Sequence, residues 1–239
     1  MKTRTTYVVG GVRIPFMKSM TAYRDVTTPE LMTASLKSLV ERYNLKGKVV
    51  GDVALGALMQ SSANWNFARE VVQASGLHPN TPAYNVQRAC GTSLETTIQI
   101  AHKISSYQIE SGIAGGVDSN SDLPIMVTRS FSQKLVALNS ARTLGEKLRI
   151  FLSFRPSDLK PVPPAVVEPR TGKSMGEHCE LMVKEWKISR QEQDELALAS
   201  HLNAAKAYKD GFYADLVFPF LGKSTDGIMR GDTTLEKLA

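Results

Sequence analysis

Cysteine is scarce in this sequence, with two residues in 239. Two cysteines cannot form the disulfide framework of a secreted protein, so we expect a reducing compartment and predict a cytoplasmic location. Histidine is also rare, with four residues, and no zinc-finger spacing or RNA-binding signature is present. We therefore expect no metal site and no nucleic-acid partner.

Long apolar runs are absent as well. No run approaches the roughly 20 residues of a membrane-spanning helix, and Met1–Arg4 leads directly into an apparent strand. We therefore expect no membrane span, signal peptide or transit peptide. The net charge of +6 is moderate and suits an anionic partner, such as a phosphorylated cofactor or lipid head groups.

Predicted strands and helices alternate along the first half of the chain. We predict a first strand at Thr6–Val9 and a helix that starts at Pro29, with Thr28 as its N-cap. Further along, the predicted elements are a strand within Val49–Leu58, a helix over Asn66–Ala74 that ends near Gly76, a strand at Thr81–Val86 and a strand at Ile113–Val117. This alternation predicts an α/β fold with a parallel sheet covered by helices.

Cys90 lies between a predicted strand and a predicted helix. Leu94, Ile98, Ala101 and Ile104 recur at helical spacing, so a helix should begin at Gly91 or Thr92 and end near Ser105. The unpaired amides and the dipole at the start of that helix favour a thiolate, which is the reactive form of cysteine. Gly91 lets a substrate approach because it has no β-carbon. The alternative is that Cys90 is a small buried apolar residue, as free cysteines usually are.

The segment from Leu123 to Pro164 has a different composition. Six basic residues alternate with large apolar ones between positions 129 and 155. One interpretation is an amphipathic helical segment whose apolar side packs on its own protein. The other is a basic amphipathic surface over 129–154 for a membrane or a partner subunit.

Two capping boxes predict two further helices, one after Ser174 and one after Ser189, the second ending at Gly211. His178 and Cys179 are adjacent on the first of these helices and point about 100° apart, so we interpret both as structural. Ala214–Phe220 is predicted to form a strand.

The segment Arg88-Ala89-Cys90-Gly91-Thr92-Ser93-Leu94 resembles the nucleophile segment of the thiolases. Other segments similar to that family follow its order: Gly10–Phe16, Gly115–Ser119, Met175–Glu180 and Asp232–Leu238. The sequence is most similar to the acetyl-CoA acyltransferases of the fatty-acid β-oxidation complex, the thiolase subunit of the trifunctional type. The resemblance covers nearly all of this chain but only about the first half of a thiolase.

The resemblance implies a layered α/β core domain, with a mixed sheet covered by helices and an inserted, mostly helical covering region. The implied domains are a core domain at 1–119 that carries the nucleophile, the covering region at 120–228, and a truncated return segment at 229–239. The second core domain is absent. The implied activity is that of an acetyl-CoA C-acyltransferase, a 3-ketoacyl-CoA thiolase.

The resemblance assigns Cys90 as the nucleophile that forms an acyl thioester, with its own backbone amide in an oxyanion hole. Lys223 and Arg230 are candidate coenzyme A contacts, although both could be solvated charges. Coenzyme A thioesters are expected as substrates, with no permanently bound cofactor. In thiolases a histidine and a second cysteine come from the second half of the chain, and His78, His102 and His201 have no matching motif here.

We therefore expect this chain to be catalytically incomplete without a complementary C-terminal half. If complete, it is expected to form a homo-oligomer and to serve as a subunit of a β-oxidation multienzyme. The alternatives are a condensing enzyme of the ketoacyl-synthase type and a non-catalytic fragment that acts as a subunit or membrane interaction module.

Overall fold

A computed structural model describes residues 3–239; Met1 and Lys2, and the expectation about the start of the chain that rests on them, lie outside the described residues. The contacts divide the chain into two compact units. The first unit comprises the residues up to Asp122 together with Lys187–Ala239, and the second is Leu123–Trp186. Within residues 3–239, no helix has both the length and the apolar character that crossing a membrane requires.

The first unit is built on a three-stranded parallel sheet. Its strands are β1 (Asp52–Gly56), β2 (Ala83–Val86) and β3 (Gly112–Gly116), in the spatial order β2-β1-β3. The helices α1 (Thr28–Arg42), α2 (Phe67–Ser75) and α3 (Thr92–Ser105) alternate with them along the chain. This arrangement confirms the predicted α/β fold. The resemblance implied a mixed sheet, and the three strands of the described chain all run parallel.

Helices cover both faces of this sheet because alternate residues of β1 point to opposite sides. Val53 and Leu55 lie in a core with residues of α1 and α2, among them Leu36 and Val72. Ala54 lies in a second core on the other face, with residues of β2 and α3. All five residues of β1 are buried, so it is the central strand of a three-layer core.

Local signals in the sequence set the ends of these helices. Asn66 caps α2 by accepting the N–H of Arg69 at 3.0 Å, and Gly76 ends the helix in the left-handed conformation at φ 91°. The prediction for α1 was wrong by one residue. Thr27, rather than Thr28, is the N-cap, because its hydroxyl and the Glu30 carboxylate form a capping box.

Two predicted strands are not formed. Thr6–Val9 has no strand structure, and the Thr6 hydroxyl instead donates to the Ala101 carbonyl of α3 at 3.1 Å. Ala214–Phe220 begins as a series of turns, and two isolated bridges follow, one from Val217 to Arg13 and one from Phe220 to Lys223. β-Branched and aromatic residues favour a strand only where a partner strand accepts the backbone hydrogen bonds.

An ion pair joins the residues that follow these two segments, across 213 positions of sequence. Arg13 Nη1 and Nη2 donate to Asp226 Oδ1 and Oδ2 at 2.7 and 2.8 Å, and both side chains are largely buried. The Phe16 N–H also donates to Asp226 Oδ1, at 2.7 Å. Burial opposes ionisation of Asp226, but the hydrogen bonds from Arg13 and Phe16 outweigh it and hold its pKa below the usual value.

The first unit also contains two helices that come late in the chain. A 20-residue helix, α7 (Arg190–Lys209), begins at the predicted Ser189–Glu192 capping box, and Gly211 follows its end at φ 74°. A short helix, α8 (Leu235–Leu238), contacts α7.

The second unit contains the helices α4 (Arg129–Ser140), α5 (Leu144–Leu152) and α6 (Met175–Trp186), with a 3₁₀ turn at Pro156–Leu159. The capping box predicted at Ser174 and Glu177 is present at the start of α6. Asp158 is buried and accepts hydrogen bonds from Lys134 Nζ at 2.6 Å and the Arg155 N–H at 2.8 Å. These bonds, with that of Lys134 first, lower the pKa of Asp158 to about 2.

The two compact units are defined only by which residues contact one another. They therefore do not test the domain boundaries inferred from the sequence. The division at 1–119, 120–228 and 229–239 therefore stays a prediction.

Candidate nucleophile site

Cys90 lies in the turn that joins β2 to α3, at the carboxyl end of the parallel sheet. Val86 ends the strand and Thr92 begins the helix, as the sequence predicted. Cys90 is exposed, so it is not the buried apolar cysteine of the alternative interpretation. The N-cap, Gly91, places no side-chain hydrogen bond on the start of α3. The Thr92 N–H donates to the Ala89 carbonyl at 3.2 Å, and no side chain caps the other amides of the first turn. Uncapped amides at a helix start attract negative charge.

The turn around Cys90 holds a strained backbone. Ala89 has φ 46°, a left-handed conformation that costs about 1–3 kcal/mol for a residue with a side chain. Thr92 ties the turn together, because its hydroxyl accepts the Arg88 N–H at 2.9 Å and donates to the Ala89 carbonyl at 2.7 Å. The Gly91 N–H closes the turn on the Arg88 carbonyl at 3.0 Å. Three hydrogen bonds therefore connect the residues before Cys90 with those after it, and they hold Ala89 in its strained conformation.

Two glycines let the start of α3 approach the ends of the neighbouring strands. A β-carbon on Gly56 would lie 2.2 Å from the Val86 carbonyl oxygen and 2.3 Å from Thr92 Cγ2. A β-carbon on Gly116 would lie 2.1 Å from Ser93 Oγ. At Gly56 the close atom belongs to the backbone, so a larger residue there would push α3, and Cys90 with it, away from the sheet; at Gly116 the close atom is the end of the Ser93 side chain.

Amide side chains connect the end of β2 to the loop that follows β1. Asn85 Oδ1 accepts the Ala68 N–H at 2.7 Å, and its amide donates to Gln60 Oε1 at 3.3 Å. Gln87 Nε2 donates to the Leu58 carbonyl at 3.3 Å. These bonds attach Asn85 and Gln87, which precede the Cys90 turn, to α2 and to the loop after β1.

Asp118, just after β3, holds the same loop from the other side. Its Oδ1 accepts the N–H of Leu58 at 2.9 Å and that of Met59 at 3.3 Å. Burial raises the pKa of Asp118 because it disfavours the charged carboxylate, although these two hydrogen bonds act in the opposite direction. Asp118 is therefore a positioning residue for the loop between β1 and α2.

No histidine of the first unit is placed beside Cys90 by a described contact. His102 lies in the last turn of α3, about 15 Å along the helix axis from Thr92. His78 Nδ1 accepts the Asn80 N–H, and His201 Nδ1 accepts the Arg230 N–H. In the second unit, His178 Nε2 is 3.0 Å from Thr171 Oγ1, a local contact that matches its interpretation as structural. Cys179 is exposed.

Lys223 and Arg230 are both exposed. Lys223 closes a tight turn in which it exchanges two backbone hydrogen bonds of 2.9 Å with Phe220. Neither side chain has an ion-pair partner within 4 Å among residues 3–239. Residues 3–239 also contain no group of three or more histidine, cysteine, aspartate or glutamate side chains suited to a metal ion.

The sequence did not reveal the residues that hold the site in place. Gly56, Gln60 and Asn85 gave no motif, because their roles depend on contacts between elements distant in the sequence. The sequence signal at Asp118 is the resemblance of the segment Gly115–Ser119 to the thiolases, which does not indicate what Asp118 contacts. The alternation of strands and helices could have suggested that residues after β1 and β3 meet near Cys90, since carboxyl ends of parallel strands share one edge.

An exposed cysteine at a strand-to-helix turn of a parallel sheet defines a class of α/β proteins with a nucleophile at the sheet edge. The chain belongs to the thiolase family, because residues 6–239 match the family model described as Thiolase, N-terminal domain. This match confirms both the resemblance and the fold class.

Similar proteins agree with this assignment. A 3-ketoacyl-CoA thiolase of Photobacterium profundum is 40% identical over 238 residues, which are 97% of this chain and 55% of that protein. A second, from Shewanella sp. strain W3-18-1, is 42% identical over 210 residues, covering 88% of this chain and 48% of the relative. The crystal structure of an acetyl-CoA acetyltransferase of Bacillus anthracis matches 99% of this chain and 58% of its own, with a TM-score of 0.80 and 26% identity. The chain thus spans about half the length of these relatives.

Proposed function

We propose that this chain is the nucleophile-bearing half of an acetyl-CoA C-acyltransferase, a 3-ketoacyl-CoA thiolase. The observation that carries the proposal is the exposed Cys90 at the uncapped start of α3, in a chain whose relatives are named 3-ketoacyl-CoA thiolase. The same family assignment favours this function over the ketoacyl-synthase alternative.

In the proposed reaction the Cys90 thiolate attacks the 3-keto carbon of a 3-ketoacyl-CoA. The bond between carbons 2 and 3 breaks, its electron pair takes up a proton, and acetyl-CoA leaves. The shortened acyl group stays on Cys90 as a thioester, and the thiol of a second coenzyme A then releases it. Covalent catalysis of this kind divides one difficult step into two easier ones. The Cys90 backbone amide is proposed to stabilise the oxyanion.

The reaction needs a base for the thiol and an acid for the leaving carbon. No group in the described contacts of Cys90 fills either role, so we propose that a complementary C-terminal half supplies both. Lys223 and Arg230, with their unpaired charges, are proposed contacts for the anionic part of coenzyme A. A cytoplasmic location, homo-oligomerisation and a place as a β-oxidation multienzyme subunit are further parts of the proposal, and nucleic acid is not a proposed partner.

Thiol labelling tests the nucleophile. Under limiting iodoacetamide at neutral pH, mass mapping should show faster alkylation of Cys90 than of Cys179, which is also exposed and serves as the internal reference. Faster labelling of Cys179 would overturn the assignment. The half-enzyme proposal is tested by acetoacetyl-CoA cleavage, which should appear only on co-expression with the complementary half and vanish in Cys90→Ser.

A second candidate function is peripheral membrane contact through 129–154. The specific observation is the exposed apolar face of α5, where Leu144, Leu148, Phe151 and Leu152 are all exposed although their spacing places them on one side of the helix. Packing on the chain's own second unit does not cover this face. Lys147 and Arg149 lie on the same helix, and each basic residue near an anionic bilayer contributes about 1 kcal/mol.

Flotation with anionic and neutral liposomes tests this surface. Binding should require anionic lipid, weaken at high salt and fall about tenfold in Leu152→Asp, because burying a leucine contributes about 1.5–3 kcal/mol. The matched control is Leu196→Asp on α7, since Leu152 and Leu196 are 74% and 73% exposed. Equal absence of binding to both lipids would remove the membrane proposal.

A further inference from the structure

Arg88 is the residue of the Cys90 turn with the most extensive connections. Its N–H donates to Thr92 Oγ1 at 2.9 Å, and its carbonyl accepts the Gly91 N–H at 3.0 Å. Its guanidinium Nη1 donates to Glu95 Oε2 at 2.8 Å, across the whole turn and onto the first turn of α3. Arg88 thus contacts the end of the turn through its backbone and the first turn of α3 through its side chain.

Glu95 is the fixed partner in this ion pair. Its Oε1 accepts from Gln99 Nε2 at 2.9 Å, one helical turn further along α3. Its own N–H donates to the Gly91 carbonyl at 2.9 Å. The Glu95 side chain is 19% exposed, whereas that of Arg88 is 70% exposed. The Glu95 carboxylate is therefore held in place on α3, and the exposed Arg88 side chain binds to it.

An exposed ion pair adds little to the stability of a whole protein. The turn is a different case, because it is a short segment in which Ala89 is held in the left-handed region. A contact that joins the two ends of such a segment reduces the number of conformations it can adopt. Cys90 lies between the ends that the Arg88–Glu95 contact joins. The same pair could also act simply through the positive charge of Arg88, which would favour a thiolate nearby.

We propose that the Arg88–Glu95 ion pair is a positioning device that closes the turn and holds the Cys90 sulfur at the start of α3. Arg88 acts through the backbone of the turn and is not a catalytic residue. This inference rests on the proposed nucleophilic role of Cys90. It adds that the reactivity of the thiol depends on a salt-sensitive contact on the surface of the chain.

The variant Glu95→Gln separates positioning from charge. It removes the anchor but keeps the positive charge of Arg88, so a pure charge effect would leave Cys90 alkylation equal or faster. Positioning predicts slower alkylation relative to Cys179, by about threefold, the size expected for an exposed ion pair. In the unaltered chain, high salt should reduce the Cys90 rate toward that of the variant. The Glu95→Gln rate itself should change little with salt.

Trypsin gives a second readout that a general loss of stability would not reproduce. The Arg88–Ala89 bond is a tryptic site that Glu95→Gln leaves intact, and loosening the turn should increase cleavage there relative to other sites. The matched control is Glu110→Gln, which removes the exposed Arg4–Glu110 pair beyond the other end of α3 with the same change of charge. This control should change neither the Cys90 rate nor cleavage after Arg88.

The reversed pair, Arg88→Glu with Glu95→Arg, decides whether pairing is what matters. Recovery of the Cys90 rate supports the ion pair. Equal loss in the reversed and single variants, or an unchanged rate in Glu95→Gln, overturns the inference. If Cys90 is no faster than Cys179 even in the unaltered chain, the proposed nucleophile fails instead, so the two failures are distinguishable.

Discussion

At the scale of single residues, the position of Gly56 explains how α3 reaches the sheet. Gly56→Ala would place a β-carbon against the Val86 carbonyl, a backbone atom that cannot rotate away. We expect a loss of about 1–3 kcal/mol in the free energy of unfolding, the usual cost of overpacking. Urea denaturation followed by circular dichroism measures it.

Gly91→Ala is the matched control for that substitution. A β-carbon on Gly91 would meet only the Arg88 carbonyl at 3.5 Å, an ordinary contact, and φ at Gly91 is −87°. The cost should stay below about 1 kcal/mol, the value of a poorer N-cap residue. Equal costs for Gly56→Ala and Gly91→Ala would contradict the account of Gly56.

Asp158 makes the stability of the second unit depend on pH. Its pKa is lowered from 3.8 to about 2 in the folded chain, so it binds fewer protons when folded than when unfolded. Its contribution is therefore fully present above about pH 4 and is lost as the pH falls through about 2. Asp158→Asn should lower the thermal midpoint at pH 6, and the difference from the unaltered chain should shrink toward pH 2.

Asp210→Asn is the control for this pH series, because Asp210 is half exposed in its pair with Lys206 on α7. It should have little effect at either pH. An Asp158→Asn difference that persists at pH 2 would show that the carboxylate charge is not what stabilises the unit.

At the scale of helices and strands, the sequence predicted elements better than the sides they bury. The helix after Cys90 has the predicted bounds, yet Leu94 and Ile98 of its apolar stripe are 66% and 40% exposed. The residues that α3 buries are instead Thr92, Thr96 and Ile100. Close approach to the strand ends favours small side chains there, and the Thr96 hydroxyl lies 3.3 Å from the Gly115 carbonyl. Hydrophobic periodicity cannot detect a buried face in which two of the three residues are threonine.

The elements that were predicted correctly carry their own boundary signals. Asn66 and Gly76 mark the ends of α2, and the Ser189–Glu192 box marks the start of α7. The failed strands at Thr6–Val9 and Ala214–Phe220 have suitable residues but depend on partners elsewhere. The site follows the same division, because Cys90 could be found from its local context whereas Asp118 and Gln60 could not.

At the scale of the whole chain, the Arg13–Asp226 pair is the contact to test. Asp226→Asn removes the charge from a largely buried, doubly hydrogen-bonded pair. We expect a loss of about 1.5–3 kcal/mol, the range for hydrogen bonds to charged groups. Hydrogen exchange should show lost protection at the Phe16 and Phe218 amides, both of which are bonded within this connection.

The control for Asp226→Asn is Asp232→Asn, in an exposed pair with Lys237. It should leave exchange at Phe16 and Phe218 unchanged. Equal effects of the two substitutions would mean that the Arg13 connection contributes no more than a surface ion pair.

The strand order β2-β1-β3 has a consequence for the order in which the chain folds. All three strands and the helices α1 to α3 come from one continuous segment, 28–116. Such a segment can fold on a ribosome while later residues are still being translated, since all of its strand pairings lie within it and domains fold from the N-terminus. The partner of Arg13 arrives only 213 positions later. Cys90 would therefore be placed at the sheet edge early, and pulsed hydrogen exchange during refolding should protect β1 before the Phe218 amide.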